Sequence, residues 1–278
     1  MTICIGVKVD AGIVFAADSA TSMTQVSGSI LGVSRVYNNA DKIFNLHRKL
    51  PVVAMTCGLG NFGSESISTI VKGIRLRLMD DERHKPTDYS LEDIVGVCHE
   101  VFHGKFEELH EAVKDSNSFE FFIGGCSGNG GGDAIWKFQF SEGQFSDPVC
   151  LVGQDDCNIL WAGQPEACVR LVLGHASNTY DVLRAANLSH QQATDLSQSL
   201  RRNSEASFLE PSMPIKDAIE LAEFLAQTCA SYVKFLPGAD TVGGELDIAT
   251  VTKYEGFRWI RRKHFYPQEL NRETDHVR

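Results

Sequence analysis

Two short segments carry residue types that could do hydrolytic chemistry, and the first is the amino terminus. Thr2 becomes an amino-terminal threonine if Met1 is removed. A threonine hydroxyl is a weak nucleophile, but a free α-amine on the same residue can take its proton. The reference pKa of an α-amine is about 7.7–8.0, which suits a general base near neutral pH. Threonine is small enough for methionine aminopeptidase to expose it, so we expect Met1 to be removed without a long propeptide.

The second segment, His99-Glu100-Val101-Phe102-His103, has the H-E-x-x-H spacing. On a helix this spacing puts two histidines one turn apart, where they could bind zinc with the glutamate as general base. The extended metzincin pattern is absent, because His110 and Gly104 fall at the wrong offsets. A zinc metallopeptidase therefore stays as an alternative, and the simpler expectation is that both histidines lie on the polar side of an amphipathic helix.

Three further segments invite a ligand-binding interpretation without supporting it. The glycine-rich run 124–133 lacks the Gly-Lys-Ser/Thr ending of a phosphate-binding loop and lies between two predicted strands, so it indicates a hairpin connection. The acidic runs 80–82 and 154–156 are more typical of solvated turns than of metal sites. We expect no cofactor and no metal.

The hydrophobic periodicity predicts an α+β fold, in which groups of strands alternate with pairs of helices. Predicted strands cover 3–9, 13–17, 43–46, 52–55, 119–123, 134–140, 158–162, 245–253 and 257–260. Predicted helices begin near Ser64 and Ser90 and cover 166–173 and 216–235. Residues 19–39 are rich in serine and glycine and are expected to be a polar stretch. We expect a single domain over 1–262 with a helical or loop insertion at about 175–213, followed by a polar tail over 263–278.

Composition limits the partners and the compartment. The formal net charge of -10 disfavours nucleic acid and anionic membranes as main partners. The eight cysteines form no C-x-x-C pair, and the amino terminus has no basic region followed by an apolar one. Reduced thiols and the lack of a signal peptide predict a cytoplasmic protein.

Four segments resemble one known family in their order along the chain. Thr2-Ile3-Cys4-Ile5-Gly6-Val7, followed by residues 12–19, is similar to the opening of proteasome β subunits and of the bacterial peptidase HslV. Asp41-Lys42-Ile43-Phe44 resembles the family's catalytic-lysine segment, and Met55-Thr56-Cys57-Gly58 resembles the glycine-containing segment that follows it. The resemblance covers residues 2 to about 175 and resumes over the final helix and strands. The chain is thus identified as a divergent bacterial member of this N-terminal nucleophile hydrolase family.

The resemblance implies a four-layer α/β/β/α sandwich with two stacked antiparallel sheets, and a threonine endopeptidase. Thr2 would be the nucleophile, and Lys42 would lower the pKa of its amine. Asp18 would hold Lys42 through a charge-assisted hydrogen bond. The N–H of Gly58 would stabilise the oxyanion, an effect typically of about 3 kcal/mol.

The sequence departs from the family pattern at two supporting positions. Gln164 stands where the family has a serine that supports the nucleophile. The family's Asp-x-x-Ser-Gly-Gly pattern appears only as Asp240-Thr241-Val242-Gly243-Gly244, which makes Asp240 the counterpart of the catalytic aspartate.

The resemblance also implies partners: a polypeptide substrate, further copies of the chain in a self-compartmentalising ring, and an ATPase unfoldase as a candidate. The surface helices beginning near Ser64 and Ser90 are candidate contact elements of the ring. A catalytically silent ring-forming subunit, like proteasome α subunits, is the alternative within the same fold.

Overall fold

The computed structural model describes residues 2–27, 30–81, 86, 88–128, 130–237 and 242–263. This part of the chain has a mixed α+β fold, as the periodicity predicted, and its sheets are antiparallel. The strands are β1 (Ile3–Val9), β2 (Gly12–Ala17), β3 (Thr21–Ser27), β4 (Ile30–Tyr37), β5 (Ile43–Asn45), β6 (Val52–Gly58), β7 (Asn61–Phe62), β8 (Glu65–Ser66), β9 (Phe119–Cys126), β10 (Asp133–Ser141), β11 (Gln144–Phe145), β12 (Val149–Val152), β13 (Asn158–Gly163), β14 (Asp247–Thr252) and β15 (Gly256–Arg261). The helices are α1 (Ile67–Asp80), α2 (Leu91–Glu107), α3 (Glu111–Ser116), α4 (Glu166–Cys168), α5 (Thr179–Ala185), α6 (His190–Ser204) and α7 (Ile215–Lys234), and a π-helical turn at Val169–Leu173 continues α4.

Two large sheets carry most of the strands. The first has the order β13-β1-β2-β14-β15, and the second has the order β11-β10-β9-β6-β5 with β12 also paired to β10. Every residue of β1 and β2 is buried, so the centre of the first sheet is covered on both faces. The residues at the ends of β1 and β2 are therefore attached to a fully covered part of the sheet.

Three apolar clusters account for the core, and alternate residues of β1 contribute to two of them. Ile3 and Ile5 pack with alanines and Leu225 of α7, whereas Cys4 points to the opposite face and packs with Met55 of the second sheet. The third cluster lies between the second sheet and the helices α1 and α2. Helix α7 approaches β1 closely because its buried face includes small side chains at Ala218, Ala222 and Ala226.

Serine caps begin the two helices next to the second sheet. The Ser66 side chain accepts a hydrogen bond from the Thr69 N–H at the start of α1, and Ser90 accepts one from the Glu92 N–H at the start of α2. The sequence predicted the cap at Ser90 and put the start of α1 near Ser64.

No strand was predicted within residues 19–39, but β3 and β4 pair with each other there as a separate two-stranded sheet. Strand β12 was also not predicted. Within 175–213 the structure has helices α5 and α6. Of the helices that the structure describes, none combines the length and the apolar character needed to cross a bilayer.

Candidate active site

Asp18, which follows β2 directly, is the centre of a buried hydrogen-bond network. Its Oδ1 accepts from the Ile3 N–H at 2.9 Å and from Lys42 Nζ at 2.5 Å. Its Oδ2 accepts from the N–H groups of Ala20 and Gly243, each at 3.2 Å. The side chain is 1% exposed. Four donors therefore surround one buried carboxyl group and use both of its oxygens as acceptors.

Lys42 reaches this carboxylate from the start of the second sheet. The backbone carbonyl of Lys42 accepts a hydrogen bond from the Thr56 N–H at 2.9 Å, which continues the β5–β6 pairing by one residue. The lysine side chain is 6% exposed and forms an ion pair with Asp18. Each of the two large sheets thus supplies one charged residue. The ion pair connects the two sheets at the strand ends nearest Thr2.

Thr2 directly precedes β1 and is held from the side of β13. It is buried, and its carbonyl accepts the Gln164 N–H at 2.8 Å. Gly163 has a φ of +87°, and a Cβ at this position would lie 1.8 Å from the Thr2 carbonyl oxygen. Only glycine fits there, for both conformational and steric reasons. The backbone of Thr2 is therefore fixed by β13 on one side, and the adjacent Ile3 N–H is fixed by Asp18 on the other.

Gly58 is the last residue of β6 and lies at the same strand ends. Backbone N–H groups alternate in direction along a strand, so the Gly58 N–H points to the same side of β6 as the Thr56 N–H, which donates to Lys42. Gly58 lies beyond the residues that β5 pairs with β6. Its φ is +95°, and a Cβ would lie 2.2 Å from the Ser118 carbonyl oxygen, so no other residue fits without a backbone shift.

The buried thiols of Cys4 and Cys57 lie near these strand ends. The pKa of the Cys4 thiol is raised well above its ordinary value, mainly by burial and to a smaller extent by a hydrogen bond with Cys57. The Cys57 sulfur would lie 3.3 Å from a Cβ at Gly163, so this side chain lies close to the turn that contacts Thr2. Cys4 also donates to the Thr56 carbonyl at 3.2 Å. The protonated Cys4 thiol is a packing group and weak donor rather than a nucleophile.

The network joins Asp18 and Lys42 directly, with Thr2 next to the Ile3 N–H that Asp18 binds, and Gly58 two residues beyond Thr56. Asp240 lies outside the described residues. Sequence reasoning did not single out the contact of Gly163 with Thr2 or the contact of Gly243 with Asp18. The sequence analysis noted the Gly243-Gly244 pair, but only the tertiary structure shows that Gly243 contacts Asp18.

The H-E-x-x-H segment lies on α2, away from the amino terminus. Glu100 forms an ion pair with Arg77 of α1 at 2.8 Å. The His99 ring packs against Phe138 and Phe145, and its Nε2 donates to the Ser146 carbonyl at 3.2 Å. Among the residues that the structure describes, no three histidine, cysteine or acidic side chains are grouped so that they could hold a metal ion.

Comparison with known proteins finds solved structures with a similar fold. No family model and no curated protein sequence matches the chain. The helical assembly of the Anbu complex from Pseudomonas aeruginosa aligns at 16% identity with a TM-score of 0.50, over 97% of this chain and 91% of that chain. An Anbu (Gly-1) mutant from Hyphomicrobium sp. strain MC1 aligns at 16% identity with a TM-score of 0.51, over 97% and 92%. An Anbu protein, glossed as ancestral beta-subunit, from Yersinia bercovieri gives 15% identity and a TM-score of 0.49, over 94% and 88%.

These findings correct the family assignment made from the sequence. The identification as a proteasome β-subunit or HslV-type family member is wrong as stated, because neither a family model nor a curated sequence matches. What the comparisons support is a distant structural likeness to Anbu proteins. At 16% identity this likeness shows the fold alone, and a fold does not determine a reaction.

Proposed function

We propose that this chain is a threonine hydrolase that cleaves peptide bonds with Thr2 Oγ1 as the nucleophile, once Met1 is removed and the Thr2 α-amine is free. The proposal rests on one atom above all, Asp18 Oδ1. It accepts hydrogen bonds from both Lys42 Nζ and the Ile3 N–H, so a buried ammonium lies beside the Thr2–Ile3 peptide. A fixed cation at this place is what an amine needs to act as a base near neutral pH.

The reaction would follow in two halves. The neutral Thr2 amine takes the Oγ1 proton while Oγ1 attacks the substrate carbonyl carbon, and the Gly58 N–H stabilises the oxyanion that forms. The C–N bond then breaks, the leaving amine receives the proton, and an acyl ester remains on Thr2. In the second half the same amine takes a proton from water, and the resulting hydroxide releases the acid and restores Thr2.

The supporting groups divide into those that hold Lys42 and those that hold Thr2. Asp18 orients the Lys42 ammonium and compensates its charge. The Gln164 N–H and the glycine at 163 fix the Thr2 carbonyl, which keeps the nucleophile in one orientation. We also propose that Asp240 supports Thr2, an assignment that depends on the sequence alone.

The architecture and the assembly proposed with this function are a four-layer sandwich and a self-compartmentalising homo-oligomeric ring. Three separate apolar clusters, one between the sheets and one on each outer side, support the four layers. The neighbour from Pseudomonas aeruginosa is described as a helical assembly, which supports self-association of this fold. A polypeptide substrate, an ATPase unfoldase and a cytoplasmic location belong to the same proposal.

A catalytically silent ring-forming subunit is the competing proposal, and Gln164 favours it. Glutamine occupies the place at which the resemblance calls for a serine that supports the nucleophile. If that support is essential, the nucleophile would be present but inert.

Intact-mass spectrometry tests the proposal directly. Purified protein is incubated with a peptide epoxyketone, which needs a hydroxyl and a free amine on one residue to close its ring. We expect a mass without Met1 and a single adduct on Thr2. Thr2→Ser keeps the hydroxyl and should retain the adduct, whereas Thr2→Ala should lose it. Assembled protein that keeps Met1, or that loses Met1 but forms no adduct and hydrolyses no peptide, would contradict catalysis at Thr2.

A further inference from the structure

A second buried lysine–carboxylate pair lies beside the first. Lys263, the first residue of the predicted tail, donates from its backbone N–H to Asp247 Oδ1 at 2.9 Å and from Nζ to Asp247 Oδ2. Both side chains are about as buried as those of Asp18 and Lys42, with exposed fractions of 5% and 4%. Asp247 opens β14 and is paired with Ala17, the residue that precedes Asp18.

The remaining contacts of Lys263 reach the two residues that adjoin the first pair. Its Nζ donates to Ser19 Oγ at 3.0 Å and lies 3.6 Å from Asp41 Oδ1. Ser19 follows Asp18, and Asp41 precedes Lys42. A lysine ammonium has three N–H donors, and Ser19, Asp41 and Asp247 supply three acceptors. The ammonium therefore joins the chain segments that carry the two charges of the candidate active site.

These neighbours are themselves tied to the same region. Ser19 Oγ donates to the Glu245 carbonyl at 2.6 Å, and the Ser19 carbonyl accepts the Ala40 N–H at 2.9 Å. Asp41 Oδ2 accepts from Ser68 Oγ, at the start of α1, at 3.1 Å. A substitution of Lys263 would therefore change the backbone positions of Ser19, next to Asp18, and of Asp41, next to Lys42.

We propose that Lys263 is a positioning residue of the active site, which holds Ser19 and Asp41 so that Asp18 and Lys42 keep the geometry that activates Thr2. This inference rests on the proposed function. Lys263 acts in two ways. It fixes the backbone on both sides of the first pair, and it compensates the negative charge of Asp247 and Asp41, which would otherwise oppose the effect of Lys42 on the Thr2 amine.

The charge effect predicts a pH signature that loss of stability alone would not give. In Lys263→Met alone, one positive charge is lost beside Asp41 and Asp247, which favours the protonated Thr2 amine, so the acid limb of kcat/KM moves to higher pH. The described ionisable groups around Thr2 are Asp18, Lys42, Cys4 and Cys57. None of them is changed in the variants below.

The test compares two double variants that each remove a complete buried pair, because removing one partner alone leaves an isolated buried charge. The first is Lys263→Met with Asp247→Asn. The matched control is Lys8→Met with Asp133→Asn, since Lys8 is also fully buried and lies 3.4 Å from Asp133 near the other end of β1. We expect the first variant to lose about 10- to 100-fold in kcat, with KM nearly unchanged. Because it removes one charge of each sign, its acid limb should move less than that of Lys263→Met. The control should keep kcat and its pH profile.

Equal kcat values and equal pH profiles in the two double variants would overturn the proposal. If the Lys263 variant does not fold, Ser19→Ala decides, because it removes one acceptor and leaves both ion pairs. We expect its kcat to fall several-fold, and an unchanged kcat would count against the role of Lys263.

A readout without turnover separates this inference from the proposed function. In protein labelled with 13C at lysine Cε, the Lys42 signal should move in the Lys263 variant and stay in place in the Lys8 control. A wild-type protein without activity or adduct would refute the proposed function, whereas an unmoved Lys42 signal would refute the positioning role.

Discussion

Lys42 Nζ and Asp18 Oδ1 lie 2.5 Å apart in a place where both side chains are almost completely buried. Taking two charges out of water costs several kcal/mol per ion, and the attraction between them often does no more than offset this cost. The pair is therefore a weak source of stability, and we expect it to matter for rate.

Replacing Lys42 should abolish most of the turnover. We expect Lys42→Ala to be nearly as damaging as Thr2→Ala and to act mainly on kcat, because the lysine acts on the nucleophile and not on substrate side chains. Lys42→Arg should not rescue activity, since the planar guanidinium has a different reach and hydrogen-bond geometry. Steady-state kinetics on fluorogenic peptides give the answer.

The variant Lys42→Met with Asp18→Asn serves as the control for folding, because it removes both charges and leaves no isolated one. It should be folded and equally inactive. Combining Thr2→Ala with Lys42→Ala should look like either change alone, since the residues act as one unit. Near-normal kcat in Lys42→Ala would remove the lysine from the mechanism.

Gly163→Ala should disturb Thr2 through backbone sterics. A Cβ at this position would meet the Thr2 carbonyl oxygen, and the φ of +87° is unfavourable for alanine. We expect a loss of about 1–3 kcal/mol in the free energy of unfolding, together with loss of activity. Gly73→Ala, in helix α1 with open space around it, is the matched control and should stabilise the protein by about 0.5–1 kcal/mol. Chemical denaturation measures both, and similar effects of the two changes would contradict the proposed fit.

Alkaline pH should lower the stability through buried thiols. Burial raises the pKa of Cys98 on α2, so this thiol stays protonated in the folded state at pH values at which the unfolded chain ionises. The unfolded state then binds fewer protons, so the free energy of unfolding falls as pH rises above about 9, by up to about 1.4 kcal/mol per pH unit for each such thiol. Denaturation curves between pH 8 and about pH 10 measure this slope.

Cys98→Ala should make that slope smaller, even if the cavity lowers stability at every pH. Cys150→Ala is the comparison, because Cys150 is exposed and its contribution should be smaller. A slope that responds equally to both substitutions would contradict the assignment to the buried thiol.

Glu100→Gln should leave peptide hydrolysis intact. Glu100 is exposed and pairs with Arg77 across two surface helices, so its loss should cost about 0–1 kcal/mol of stability. In a zinc peptidase the same glutamate would be the general base, and its replacement would lower kcat by about 100-fold or more. Kinetics of Glu100→Gln beside Thr2→Ala, with metal analysis of the purified protein, separates the two mechanisms. Loss of activity in Glu100→Gln alone would favour the zinc alternative.

The apolar patterns of β1 and β2 made these two strands predictable, because both of their faces are covered. β1 and β2 are buried throughout, and their β-branched runs were visible as such. The strands β3 and β4, which pair with each other as a separate two-stranded sheet, were not predicted. The sequence over 19–39 is polar and rich in serine and glycine, so it has no long run of apolar residues typical of a buried strand.

One contact of the candidate site was predictable, because the resemblance named Asp18 and Lys42 as partners and the structure shows their ion pair. The catalytic roles of Thr2, Asp18 and Lys42 stay predictions. The contacts of Lys263 could not be predicted in the same way, because 244 residues separate it from Ser19 and nothing in its polar surroundings indicates burial. Such contacts follow from the pairing of β14 with β2, which only tertiary structure defines.

The hydrogen bond from the Gly243 N–H to Asp18 Oδ2 has a consequence for the timing of synthesis. Its two residues are 225 positions apart, so Asp18 is made long before its partner. At about 5–20 residues per second, a ribosome needs on the order of 10–45 s to translate the intervening chain. Strand β14, which pairs with β2, is made later still. A nascent chain therefore cannot complete the surroundings of Asp18 until nearly all of the chain has been translated.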